Sequence, residues 1–328
     1  MTEAPAEGLA TFVLLAFNQE KYVREAVRAA LAQDYSPLAI IISDDTSTDS
    51  TFQIIEEEVA GYQGPHRIRL NRNERNLGAC AHVNLVVSMA ETNFVVLAAG
   101  DDVSMPERTR VLVDAYCKAG TQHFYASSNA DIIGSDGRPT GGHVIRGPAP
   151  DNPERHARGS AMPLGASEAF TKSLLDFFGG MHQHLINEDF VMPLRAHLLG
   201  KVAYVDLPLI RYRVGAGSVS QDDTRLARPD RLARRASYLA QQQIAVADML
   251  HDVCFFCSRA GQRNGTTVHD DLKRILLRRL ARLAVAESFN RYRSQGRWLR
   301  SGLELVRAPQ VLFSMMTETV RRVLKAGG

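Results

Sequence analysis

Three polar clusters each follow directly on an apolar run: Phe17-Asn18-Gln19-Glu20 after TFVLLA, Asp44-Asp45 after AIIIS, and Gly100-Asp101-Asp102 after FVVLAA. The third is the most informative. Two adjacent carboxylates at the end of a buried strand offer hard oxygen ligands to Mg²⁺ or Mn²⁺, ions that often bridge protein carboxylates to substrate phosphates. A cation held there acts as a Lewis acid on a diphosphate leaving group. The same dipeptide also reads as a solvated turn ahead of the helix that Pro106 opens. The pair alone leaves both readings open.

Other chemistries lack their residues. No GxGxxG follows the first apolar run, and GxxxxGK[ST], HExxH and GxSxG are absent, which argues against a dinucleotide fold, a P-loop, a zincin and a nucleophile elbow. Cys80, Cys117, Cys254 and Cys257 are the four cysteines, few enough to predict reduced thiols. Cys254-Phe-Phe-Cys257 is a lone CxxC without further ligands nearby, and reads as part of an apolar helix.

The elements that must position these clusters follow from apolar periodicity. Strands are predicted at Thr11–Ala16, Ala39–Ser43, Ile68–Leu70, Phe94–Ala98, Phe124–Ala130 and Val202–Val205. Helices are predicted at Lys21–Gln33, Phe52–Val59, Ala79–Met89, after Pro106, and at Glu168–Phe178 and Glu188–Leu199. Ser135–Gly165, rich in Gly, Pro and charge, reads as a long mobile loop. Strands alternating with helices predict a mostly parallel α/β sheet, Rossmann-like, covered on both faces. Ligands of such sheets sit beyond the carboxyl ends of the strands. The three clusters should therefore gather at one edge.

The 328 residues, 45% hydrophobic and 23% charged, are of ordinary globular composition. Charge is unevenly placed: residues 231–328 hold 18 of the 39 Lys and Arg but 7 of the 36 Asp and Glu. The chain is predicted to divide near Pro229, into a catalytic domain at 8–225 and a helical, basic extension at 226–328. Leu272, Leu276 and Leu280 repeat every four residues, with Arg274, Arg278 and Arg282 offset by two, so the two rows oppose each other on a helix. A second amphipathic stretch runs from Val311 to Leu324. Such helices pack on protein, within the chain or in a homo-oligomer, or lie on an anionic membrane; packing is the preferred reading. Nucleic acid is not expected, because no recognised binding motif accompanies the charge. No apolar run is long enough to span a bilayer, and no secretion signal is evident. The expected location is the cytoplasm, with the inner membrane face as a peripheral alternative.

Taken in order, FNQEKYVREAVRAALAQDY, IIISDDTSTDST, NERNLGACAHVN, VVLAAGDDV and NEDFVMPLRAHLLGKVAYVDLPLIRYRVGAGSVS resemble the family 2 nucleotide-sugar glycosyltransferases of GT-A fold, from Thr11 to about Ser220. The resemblance implies an inverting, metal-dependent transfer of a sugar from a nucleotide-diphosphate donor to an acceptor hydroxyl. The acceptor would be a glycan or lipid-linked molecule, in bacterial surface polysaccharide or glycoconjugate synthesis. It implies that Phe17, Asn18 and Glu20 line the nucleotide pocket, that Asp45 accepts a hydrogen bond from the base, and that Asp44 is structural. Asn76, Gly78 and Asn84 match the NxG…N pattern, although Val83 stands where the family often has a basic residue. Asp101 corresponds to the ribose or sugar contact and Asp102 to the ligand of Mn²⁺ or Mg²⁺. Glu188-Asp189 matches the ED motif, with Asp189 the base; N-capping is the alternative for this pair. His182, His184 and Arg213 are candidate acceptor or diphosphate contacts, in a chain that lacks the histidine many relatives carry near Ser218-Val219-Ser220.

Two rival functions share some of these features. A sugar-phosphate nucleotidyltransferase has the same sheet and acidic ligands, but LLAFNQEKY does not resemble its Gly-rich, basic phosphate loop. A silent nucleotide- or sugar-binding module would not need both Asp102 and Asp189.

Overall fold

The computed structural model describes residues 10–144, 152–160, 162–185, 188–215, 228–259 and 267–294. They fall into two compact units. The first draws on residues up to 144, 162–183 and 188–215; the second on 152–160, 184–185 and 228–294.

The first unit opens with β1 (Ala10–Ala16), α1 (Val23–Leu31), β2 (Ala39–Asp44), α2 (Thr51–Ala60), β3 (Arg67–Arg72), α3 (Ala79–Ser88) and β4 (Phe94–Ala99). These strands pair in parallel in the order β3-β2-β1-β4. Parallel strands covered on both faces need continuous apolar sequence rather than alternation. FVVLA in β4 and the apolar run of β1 meet that need: Phe12, Val13, Phe94, Val95 and Val96 are all fully buried. β3 is the edge strand and carries Arg67, Arg69 and Arg72, charges that discourage pairing with another chain. One core cluster joins Phe12, Leu14, Ile40, Ile42 and Val96 to Val23 and Val27 of α1. Each such buried side chain contributes about 1.5–3 kcal/mol of transfer free energy.

The unit continues through β5 (Val103–Ser104), α4 (Arg108–Ala119), β6 (Phe124–Ile133) and β7 (Pro139–Val144) to β8 (Ala169–Thr171), α6 (Lys172–Phe177), α7 (Met192–Leu199) and β9 (Lys201–Arg213). The sheet runs on from β4 as β8-β6-β9-β5, with β7 on the side of β6. β8 is antiparallel to both neighbours, whereas β9 is parallel to β6. The sheet is thus parallel in its first half and mixed beyond β4.

Three sequence expectations change here. Glu168–Phe178 is not one helix: Ala169–Thr171 pairs with β4 and β6 before α6 begins, because long-range pairing outweighs local helical periodicity. The last strand extends far beyond Val205. It runs through Pro208, where the register with β6 shifts around Asn129 and spares the ladder a missing N–H. The segment expected as an unstructured loop contains β7 and, in the second unit, α5 (Pro153–Ala157), capped by Asn152 Oδ1 accepting from Arg155 N at 3.0 Å.

The second unit is built on α8 (Arg228–Arg259) and α9 (Thr267–Ser294). Leu272, Leu276 and Leu280 are buried on α9, and Leu239, Val246, Met249 and Val253 on the α8 that packs against it. Arg274, Arg278 and Arg282 face solvent. Within this unit Arg279 donates to the carbonyls of His156 and Ala157, tying α5 to α9. On α8, Cys257 is buried and Cys254 exposed. The amphipathic stretch from Val311 to Leu324 lies outside the described residues, as does Ser218-Val219-Ser220. No described helix is long and apolar enough to cross a membrane.

Candidate active site

Register brings the three polar clusters together. Ala16 pairs with Asp44 and Leu15 with Ala99, so the strand ends lie side by side. Asp45 N donates to Ala16 O at 2.9 Å and Gly100 N to Leu15 O at 2.8 Å, carrying the alignment past the strands.

The first two clusters interlock. Asn18 N donates to Ser47 Oγ at 2.8 Å, and Thr48 N to Asn18 Oδ1 at 2.8 Å. Asn18 holds φ at 52°, a left-handed value that asparagine tolerates. Glu20 Oε2 accepts from Ser50 N at 3.1 Å, while Glu20 N donates to Asp49 Oδ2 at 3.2 Å. Beside them Phe17 is an exposed aromatic, at 44%. A Cβ on Gly100 would meet the Gln19 side-chain oxygen, the movable tip of a flexible side chain, so the acidic turn lies directly against this loop.

Asp44 is structural, as expected. It is fully buried, accepts from the backbone N and hydroxyl of Ser47, and pairs with Arg72 Nε at 3.5 Å. Asp45 organises the next loop: its carboxylate accepts from Asn73 Nδ2 at 2.7 Å, Leu77 N at 2.9 Å and Gly78 N at 3.0 Å. Asn76 Nδ2 donates to the Asp45 carbonyl at 3.3 Å. Gly78, at φ 82°, starts α3. A carboxylate has about four acceptor positions, so a further donor can still be received. Beneath it His82 Nε2 lies 2.6 Å from Ser43 Oγ, and burial holds its pKa below the usual value.

The third cluster is set between two arginines. Asp102 is 6% exposed and its Oδ1 accepts from Arg213 N at 2.8 Å. Burial, and then the neighbouring charge of Asp101, push its carboxyl up to about 8. Burial also raises Asp101, opposed in part by Arg213. Arg108 is fully buried and attracted by Asp102; its guanidinium donates to Ser104 Oγ at 2.9 Å and to the carbonyls of Leu97 at 2.5 Å and Ala166 at 3.0 Å. Arg213 donates to the Asp101 carbonyl at 2.8 Å, the Gly134 carbonyl at 3.2 Å and Glu25 Oε2 at 2.8 Å, over the Tyr22 ring. The residue expected at a diphosphate thus clamps the acidic turn to β9 and α1.

A buried pair of carboxylates concentrated in this way gains from a divalent cation. Among the described residues no group of three His, Cys, Asp or Glu could enclose one. Asp102, with Asp101 beside it, offers carboxylate oxygens of the kind that Mg²⁺ and Mn²⁺ take.

Glu188 and Asp189 form a short 3-10 turn (Glu188–Phe190) ahead of α7. Asp189 is 6% exposed, and burial raises the Glu188 carboxyl. Another 3-10 turn, Gly165–Ser167, faces them: a Cβ on Gly165 would lie 2.8 Å from Glu188 Oε1 and 3.5 Å from Asp189 Oδ2. Arg108, bound to the Ala166 carbonyl, links this turn to the acidic cluster. Asn84 bonds Met181 through both N at 3.0 Å and O at 2.7 Å. His182 is half-buried, and His184 is exposed and grouped with the second unit.

Sequence reading missed Arg108, Tyr125 and Glu168. The phenol of Tyr125 donates to Glu168, and both side chains are buried. An arginine near a helix start and a glutamate before an apolar stretch read as solvated residues, and only their partners distant in sequence say otherwise.

Comparison with known proteins matches residues 11–174 to the Glycosyl transferase family 2 model. The chain is 31% identical to the succinoglycan biosynthesis protein ExoO of Rhizobium meliloti over 128 residues, 39% of this chain and 35% of that protein. It is 30% identical to glycosyltransferase GlyG of Streptococcus pneumoniae over 95 residues, 29% of this chain and 31% of that one. The match thus spans about a third of the length of each relative. In fold the chain is similar to S. aureus TarS 1-349 solved with UDP-GlcNAc, at TM-score 0.53 and 15% identity over 89% of this chain and 88% of that one. It is equally similar to the mannosyltransferase PcManGT of Pyrobaculum calidifontis solved with GDP-Man and Mn2+, at TM-score 0.53 and 14% identity, covering 98% and 86%.

Proposed function

The chain belongs to glycosyl transferase family 2 and is a glycosyltransferase of GT-A-like fold, and from that premise we propose an inverting, metal-dependent transfer from a nucleotide-diphosphate sugar to an acceptor hydroxyl. The observation that carries this reading is the meeting of the interlocked first two loops and the Asp101-Asp102 turn at one sheet edge. Phe17, Asn18, Glu20, Asn76, Gly78 and the remaining acceptor capacity of Asp45 form the nucleoside contacts. Asp101 receives the ribose or sugar hydroxyls. Asp102 holds Mn²⁺ or Mg²⁺, which when bound offsets the charge of the departing diphosphate.

Asp189 takes the acceptor proton, with Glu188 beside it. A carboxylate held beside an acceptor hydroxyl can serve as its general base. Attack on the face opposite the leaving group inverts the anomeric centre. TarS and PcManGT were solved with sugar nucleotides, which supports a donor of that class for this chain. The biosynthetic role printed for the ExoO relative supports a glycan or lipid-linked acceptor in surface polysaccharide synthesis. We place the enzyme in the cytoplasm; the burial of the α9 leucines favours packing over membrane contact for that helix.

Thermal unfolding with UDP, GDP, dTDP or CMP, each with and without Mn²⁺, tests the donor site. Ligand binding to the native state raises Tm, by about 2.7 kcal/mol of stabilisation at a hundred times Kd. One nucleotide stabilising the chain only with metal is the expected result; no response to any of them would remove the donor assignment.

A further inference from the structure

Glu168 has no solvent exposure, and one of its carboxyl oxygens accepts the phenolic hydrogen of the equally buried Tyr125. The other, Oε2, is buried with no hydrogen-bond partner. Among the described residues no ion pair to Glu168 is found, and Arg108 on α4 reaches only its carbonyl, at 3.5 Å. The β4 side offers Leu97 N, which likewise binds the Glu168 carbonyl, at 3.0 Å. The charged groups that bear on the carboxyl are Glu188 and Asp189, both of like sign. Gly165, three residues before it, faces those two side chains directly. Three acids and one phenol therefore share a buried pocket around the 165–168 turn.

An ionised carboxylate here would leave one oxygen without a donor and would face two further negative groups. The neutral acid removes the charge and with it the repulsion: Oε1 accepts from Tyr125, the proton sits on Oε2, and what is left unpartnered there is a polar group rather than an ionic one. Burial and the charges of Glu188 and Asp189 all act in that direction, holding Glu168 well above the ordinary carboxylate range.

We propose that Glu168 is a positioning residue of the transfer site: as a neutral acid anchored by Tyr125, it limits the charge gathered around Glu188 and Asp189 and so fixes which carboxylate is free to act as base. The catalytic part of this inference rests on Asp189 being that base. Such groups titrate as a set, so removing the charge of Asp189 must lower the pKa of Glu168.

The full-length wild type, Glu168→Gln, Glu168→Asp and Asp189→Asn proteins are compared by melting between about pH 5 and about 9 and by carbon-13 NMR of labelled carboxyl groups. The folded pKa of Glu168 is raised, so its contribution to stability is present at low pH and lost as pH rises. Glu168→Gln, neutral throughout, should melt no lower than wild type at neutral pH, by a margin that widens with pH. The Glu168 carboxyl should remain protonated at pH 7 and titrate lower in Asp189→Asn. With UDP-GlcNAc and GDP-mannose as trial donors, kcat of Glu168→Gln should stay within about threefold of wild type. Glu168→Asp, with the carboxyl withdrawn by one methylene, should lose about tenfold or more in kcat at unchanged KM.

An ionised Glu168 at pH 7, a pH-independent loss of stability in Glu168→Gln, or a Glu168 titration indifferent to Asp189→Asn overturns the proposal. Full sugar transfer by Asp189→Asn would instead remove the base assignment while leaving the protonation result standing, so the two failures are told apart.

Discussion

Asp102 and Asp189 carry different predictions because their surroundings differ. Burial pushes the folded pKa of Asp102 up to about 8, well above the ordinary carboxylate range. Stability linked to its proton is therefore fully present below about pH 4 and is lost as pH rises through about 8. Asp102→Asn should escape that loss, so its Tm in metal-free buffer should gain on wild type across this range. Mn²⁺ should restore wild type above neutrality and leave the variant unmoved; parallel melting curves with and without metal would contradict the assignment. For Asp189 the expected readout is kinetic. Asp189→Asn should lower kcat by about 10²–10⁴ while the nucleotide- and metal-dependent rise in Tm is kept. If the rise disappears as well, Asp189 is holding the donor site together rather than serving as base.

At the scale of elements, the junction of α7 and β9 is the tightest point that a single substitution can test. Gly200 ends α7, and a Cβ there would run into the backbone carbonyl of His123. That carbonyl also receives Lys201 N at 3.1 Å as β9 starts alongside β6. Backbone cannot yield as a side-chain tip can, so Gly200→Ala should cost about 1–3 kcal/mol, read as a lower denaturation midpoint at unchanged m-value. Because β9 carries Arg213, whose N–H meets Asp102, the same variant should weaken metal-dependent nucleotide binding. Unchanged stability would show that the junction relaxes freely.

The molecule as a whole is not divided by a single cut. α5 lies between β7 and β8 in sequence, yet belongs to the unit built on α8 and α9. His156 and Ala157 of α5 are buried, and their carbonyls are bound by Arg279. A chain truncated before residue 228 keeps α5 and loses its covering. It should therefore melt at a lower temperature and aggregate more readily than the intact chain, as followed by circular dichroism and light scattering. If the truncated chain matched the intact one in both, α5 would need no support from α9. The family model matches residues 11–174, whereas the fold match to TarS and PcManGT covers most of the chain.

The sequence by itself determined the parallel half of the sheet and the edge where the polar clusters gather. Both are local properties: an apolar run long enough for a buried strand, then polar residues that must leave the core, repeated with helices between. It also marked the α9 leucines as a row on one helix face, since such a face can be counted off along the chain. Tertiary structure alone decided that Glu168 precedes a strand rather than opening a helix, that Arg213 clamps Asp101 and Asp102 from 112 and 111 residues away, and that the phenol of Tyr125 meets the buried carboxyl of Glu168. Those outcomes depend on strand register and on which buried charges find partners. Register is fixed by pairing between distant segments, and a buried charge is settled by whatever donors the rest of the fold brings to it.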